Sequence, residues 1–170
     1  IEIQTEYGPI RGCKKTSSLD REYFNFQKIP YMKAPIGKLR FSDPQRPENW
    51  TDPLDCTKEG TPFCNMFFLD NQYQGELNGV HLNVYTNNIN PVEKYPVMVW
   101  IHGGGIFTGN TSDAFTGPDY LMEKDVVVVT VQYRIGIFGF LSLADPSLNV
   151  PGNAQFRDQV MALKWIQKDI

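Results

Sequence analysis

The sequence predicts an α/β protein in which antiparallel N-terminal strands lead into a central, mostly parallel sheet with flanking helices. Three observations carry this. Residues 97–101 (Val-Met-Val-Trp-Ile) and 126–131 (five valines and a threonine) are apolar on both faces, the pattern of fully buried central strands. The stretch between them is long enough for a crossover, which implies a parallel pair with a right-handed connection. In residues 153–170, Phe156, Val160, Leu163, Ile166 and Ile170 recur at helical spacing, with Met161 and Trp165 on the flank of the stripe and Arg157, Lys164 and Lys168 facing away.

Residues 1–15 alternate around Tyr7-Gly8-Pro9, a turn signal, and read as a short hairpin. Residues 22–26, with Tyr23, Phe24 and Phe26, are a second short strand. Residues 29–64 are rich in Pro, Gly, Asp and Asn; this is too long for a plain connection and reads as an ordered irregular segment or a functional loop. Leu82, Val84 and Thr86 alternate with Asn83 and Tyr85 as a strand, and residues 87–95 are a turn. Residues 118–124 form a short helical piece. Pro151 and Gly152 precede the last helix, and Asn153 is placed to cap it.

Composition excludes several classes. The chain has 170 residues, enough for one domain with a real core, and a net charge of −3, which gives no nucleic-acid footprint. No apolar run reaches the length of a membrane span. The chain opens on Ile1 with no signal peptide, so its start reads as processed or truncated. The three cysteines, Cys13, Cys56 and Cys64, leave at least one thiol outside any intrachain disulfide, and no pair has zinc-ligand spacing. Free thiols point to the cytoplasm, whereas the sequons Asn49-Trp50-Thr51 and Asn110-Thr111-Ser112 allow secretion; the compartment stays open.

The chemistry concentrates after residue 101, where the apolar run ends in His102-Gly103-Gly104-Gly105. Consecutive glycines cost backbone entropy, which suits a site that uses the backbone itself. Bare N–H groups at the end of a buried strand can hold a developing oxyanion. A glycine-rich turn without chemistry is the alternative. A phosphate loop is not, since no Lys-Ser or Lys-Thr follows. His102 is a candidate general base; the reading adopted is a buried, hydrogen-bonded strand-end histidine that orients the loop. His81 reads as a surface or half-buried residue.

Five ordered blocks together resemble the type-B carboxylesterase/cholinesterase family of α/β-hydrolases. His-Gly-Gly-Gly is the first. Phe26-Gln27-Lys28-Ile29-Pro30-Tyr31 with Ala34-Pro35-Ile36-Gly37-Lys38-Leu39-Arg40-Phe41 resembles the family's F-x-G-I-P-Y-A-x-P-P-x-G-x-L-R-F, and Leu82-Asn83-Val84-Tyr85 resembles the strand after its first cysteine loop. Tyr133-Arg134-Ile135-Gly136-Ile137-Phe138-Gly139-Phe140-Leu141 resembles Y-R-x-G-x-x-G-F-L. Gly152-Asn153 with residues 158–166 resembles G-N-x-G-L-x-D-Q-x-x-A-L-x-W-I. The wording is closest to insect α-esterases. Lys28 and Gln155 stand where the family has Gly. Cys64 matches the first cysteine of the family's loop disulfide, but Gly79 occupies its partner's place, so Cys64 is expected to be free. Leu77 replaces the carboxylate that pairs with the arginine at 40, so Arg40 is expected to reach Glu76 or to rest on backbone carbonyls.

The resemblance implies a serine esterase that hydrolyses a small-molecule carboxylic ester with no metal or organic cofactor. Gly104 and Gly105 would be two of its oxyanion N–H donors, Gly103 would serve the turn, Phe107 and Thr116 would line the substrate pocket, and Arg134 with Asp158 would form a buried ion pair. It also implies that residues 1–170 are the N-terminal portion of a single domain and require its remainder. No Gly-x-Ser-x-Gly occurs among them, and neither histidine matches the family's catalytic one. A non-catalytic cholinesterase-like adhesion or binding protein is the alternative.

Overall fold

The structure, a computed structural model, describes residues 1–66 and 72–170. The first strands, β1 (Glu2–Gln4) and β2 (Pro9–Arg11), form an antiparallel hairpin closed by Thr5 and Gly8. β3 (Cys13–Thr16) then pairs with β4 (Glu22–Ile29) and opens a five-stranded sheet. β4 is three residues longer than its predicted strand because it continues through a bulge. Lys28 lies there at φ 63°, with its N–H on Asn83 Oδ1 at 2.9 Å. That left-handed backbone explains why a glycine suits this place and why Lys28 occupies it at some cost.

The segment after β4 is irregular, as expected. Among the described residues it holds only a 3₁₀ turn at Gly37–Leu39 and the two-residue strands β5 (Leu54–Asp55), β6 (Asn65–Met66) and β7 (Tyr73–Gln74) up to residue 74. β8 (His81–Thr86), one residue longer than its predicted strand, is buried at all six positions. β9 (Val97–Ile101) and β10 (Val127–Gln132) form the parallel pair that the apolar runs predicted. Between them lie α1 (Asp113–Thr116), which the sequence did not suggest, and a 3₁₀ turn at Leu121–Glu123 within the predicted helical piece. α2 (Ile137–Phe140) and α3 (Ala154–Asp169) follow.

The sheet order is β3-β4-β8-β10-β9, with three antiparallel pairings and the one parallel pair. β8 is its middle strand, and β8 and β10 are both buried at every position. β9 is an edge, which corrects the central position inferred from its composition: Val97, Met98, Trp100 and Ile101 are 38–52% exposed. An apolar run marks a strand that is covered somewhere, and among the described residues only β10 meets β9.

α3 packs on the core through Ala162, Trp165 and Ile166, with Ile170 against the same cluster; of the predicted stripe only Ile166 and Ile170 face inward, while Phe156, Val160 and Leu163 are 42–52% exposed. The helix is apolar on two faces, and the face bearing Asp158 turns inward because Arg134 holds that carboxylate inside. Asn153 stands at the N-cap, but in the left-handed region (φ 55°) and without a side-chain cap.

Cys13, Cys56 and Cys64 are all free. Arg40 meets neither expected partner: its Nε is buried without a hydrogen bond among the described residues, and Leu77 rests against the core. A Cβ on Gly79 would run into the Pro62 carbonyl, so the backbone itself fills the place of a cysteine partner. No described helix is long and apolar enough to cross a membrane.

His81 is 97% buried, which corrects its surface placement; it opens β8 beneath Gly60. Burial, with a smaller push from Lys28, lowers its pKa from 6.5 to about 4. The unfolded chain therefore binds a proton that the folded chain refuses between these values. The neutral form's contribution is intact above pH 6.5, falls as the pH drops through that range, and levels off below pH 4 after a loss of about 3 kcal/mol. Between pH 6.5 and pH 4, urea titrations should show wild type losing more stability than His81→Gln by this amount; parallel curves would contradict it.

Candidate active site

The glycine loop begins where β9 ends. His102 is buried, and its ring stacks on Tyr133 with centroids 4.4 Å apart. The Tyr133 hydroxyl donates to the His102 carbonyl. His102 Nδ1 lies 3.0 Å from Gly103 O, which can only accept, so Nδ1 carries the hydrogen. Nε2 then accepts from Gln132 Nε2 at 3.2 Å. Burial lowers the His102 pKa, in keeping with this neutral tautomer. With both nitrogens engaged, the ring orients the loop and has no free lone pair for base catalysis.

These bonds set the direction of the backbone donors. A trans peptide holds its C=O and N–H opposed, so fixing one end fixes the other. The Gly103 carbonyl is held by His102, and the N–H of that same peptide belongs to Gly104. The Gly104 carbonyl accepts from Phe107 N and Thr108 N, each at 3.2 Å, and the N–H of that peptide belongs to Gly105. Among the described residues no hydrogen bond occupies either N–H, and both glycines are exposed. The strand end therefore presents two oriented, unspent donors.

The three glycines differ in what they supply. Gly104 has φ 129°, and a Cβ there would strike the Thr108 carbonyl. Gly105 has φ 59°, but a Cβ would meet nothing within 4 Å. Gly103 needs no left-handed backbone and faces open space, so its part is the carbonyl that His102 takes. Ile106 follows at φ 68°, a strained conformation for a β-branched residue that costs about 1–3 kcal/mol. Its carbonyl accepts from Gly136 N at 2.7 Å.

Downstream, Ser112 Oγ caps α1 by accepting from Ala114 N. The Asp113 carboxylate accepts from Gln27 Nε2, the Tyr85 hydroxyl and Lys15 Nζ at 2.8–2.9 Å, which ties the helix to β3, β4 and β8. Sequence reasoning missed this anchor, because a Gln and a Tyr inside strands carry no local signal of a shared carboxylate. Phe107 is 68% exposed beside the donors. The Thr116 hydroxyl donates to Ser112 O at 3.0 Å. A cavity of about 430 Å³ beside the loop is lined by Phe115, Asn110 and Thr111, and neither Phe107 nor Thr116 borders it.

Arg134 and Asp158 are both fully buried and joined by Nε–Oδ2 and Nη2–Oδ1 bonds of 2.8 and 2.6 Å. Arg134 Nη1 also donates to the carbonyls of Leu39, Arg40 and Ser42. The pair stitches the end of β10 to α3 and to the Gly37–Leu39 turn. Each of the six serines makes a hydrogen bond within the fold, Ser17 and Ser18 to the sequence-distant Glu123 and Asp119 carboxylates, and none stands in a nucleophile turn.

A mixed sheet that ends in an oxyanion-type glycine loop defines an α/β-hydrolase. The structure superposes with a TM-score of 0.90 on juvenile hormone esterase from Manduca sexta, solved with OTFP covalently attached, at 39% identity over 99% of this chain and 32% of that one. The profile of the Carboxylesterase family matches residues 1–170, and the chain belongs to that family. It is 42% identical to Esterase B1 of Culex pipiens over 100% of this chain and 32% of that protein. It is 43% identical to juvenile hormone esterase of Tribolium castaneum over 99% of this chain and 29% of that protein. The chain thus spans about a third of the length of these relatives.

Proposed function

We propose that the protein is a carboxylic ester hydrolase that works by serine acyl transfer, with Gly104 and Gly105 as two of its oxyanion donors. The observation that carries this is the pair of peptides whose carbonyls are held and whose N–H groups are unspent. A serine hydroxyl, activated by a histidine that a carboxylate orients, attacks the ester carbonyl. The carbonyl oxygen becomes an alkoxide, and the two N–H groups hold it together with the N–H after the serine. The alcohol leaves, and water releases the acid. The relatives named as esterases, and the covalently attached OTFP in the Manduca protein, support the reading. Phe107, exposed beside the donors, is the proposed contact for an uncharged or cationic ester, and Thr116 is proposed to line the same pocket, with its hydroxyl held on Ser112 O.

Residues 1–170 are proposed to be the N-terminal portion of one domain. The open edge of β9 and the exposed apolar face of α3 support this, since a patch of that kind marks a surface that another element covers. The complete protein should hydrolyse 4-nitrophenyl acetate and lose that activity to an organophosphate, while the 170-residue chain alone should do neither. A complete protein that neither turns over the ester nor forms an adduct would overturn the assignment in favour of a binding role.

A further inference from the structure

We propose that Gly136 is a positioning residue that latches the oxyanion loop through its N–H on the Ile106 carbonyl; the inference rests on the ester-hydrolase reading above. Ile106 directly follows the donor glycines and holds φ 68°, against the preference of a β-branched side chain. Such a conformation persists only where the surroundings impose it. Packing does not, since the side chain is 41% exposed. What meets Ile106 is the 2.7 Å hydrogen bond from Gly136 N, shorter than the two 3.2 Å bonds that close the turn on Gly104 O.

Gly136 is itself in a conformation that glycine alone reaches at low cost, φ 60° and ψ −143°. A Cβ there would meet nothing within 4 Å. The position therefore calls for glycine because of the direction of its N–H and not because of space. Its carbonyl accepts from Gly139 N and Phe140 N at the start of α2, and Arg134, two residues earlier, is fixed by Asp158. The latch is anchored in the core on one side and bears on the donor loop on the other. Any other residue at 136 turns the peptide, frees the Ile106 carbonyl, and lets the strained backbone relax away from the geometry that aims the Gly105 N–H.

The test uses the complete protein. Gly136→Ala should lower kcat on 4-nitrophenyl acetate by at least roughly tenfold, short of the factor for losing a whole donor, with KM within about twofold. Adding Ile106→Gly removes the strain that the latch opposes and should recover most of the loss, which general destabilisation would not allow. Hydrogen exchange reads the latch apart from activity. The residue 136 amide should exchange slowly in wild type. In Gly136→Ala, the Phe107 and Thr108 amides should exchange faster while those of β8 and β10 do not change. A rapidly exchanging wild-type Gly136 amide, an unchanged kcat in a folded Gly136→Ala protein, or a loss that Ile106→Gly leaves in place would each overturn the latch. A wild-type protein without ester turnover would overturn the proposed function instead, and the exchange data would still decide the latch.

Discussion

Gly105→Asp is expected to cut carboxylester turnover about 100-fold or more while the protein stays folded. The backbone at 105 lies at φ 59°, a region that Asp enters more readily than most residues, and its Cβ would face open space. Stability is therefore not the limiting term. The loss comes from charge: a carboxylate beside the donor opposes the alkoxide that the N–H groups gather. Turnover of the variant and wild type on one ester, with thermal melting as the folding control, measures it. A folded Gly105→Asp protein with wild-type turnover would remove Gly105 from the oxyanion hole. The same change at 104 is a different experiment, because a Cβ there collides with Thr108 O and the loop must rearrange.

Asp158→Ala is expected to destabilise the protein by about 3–5 kcal/mol, because it leaves the fully buried Arg134 guanidinium without its counter-ion. Burial raises the Asp158 pKa while three Arg134 hydrogen bonds pull it down, so the carboxylate stays charged only in its partner's company. The double variant Arg134→Met, Asp158→Leu should cost clearly less than Asp158→Ala, since it strands no charge. Urea denaturation of the three proteins gives both numbers. An Asp158→Ala protein within 1 kcal/mol of wild type would show that water or another group had reached Arg134.

The hairpin, the parallel pair and the long helix were legible because each is written in a local period. The position of β9 in the sheet was not, since an apolar pentapeptide says that a strand is covered but not by what. The inward face of α3 was legible only in its last turns, at Ile166 and Ile170. Phe156, Val160 and Leu163 outweigh Ala162 and Trp165 in apolar content, yet one buried carboxylate at 158 turns the helix the other way. In the site, the glycines announced backbone chemistry. The groups that aim them, a Gln132 amide, a Gly136 N–H and the Ile106 carbonyl, come from separate stretches that only the fold brings together.

The open edge of β9 also bears on how the protein is made. Five extended residues with apolar side chains on both faces are a template for any passing strand, including the same strand of a second nascent chain. If the covering strand follows later in translation, as proposed, there is an interval in which the ribosome has delivered the template and not its partner. At a few to about twenty residues per second that interval lasts on the order of seconds, long enough for self-association to compete with folding. Yield in a heterologous host should then depend on holding chaperones and on slow synthesis more than on the stability of the finished protein.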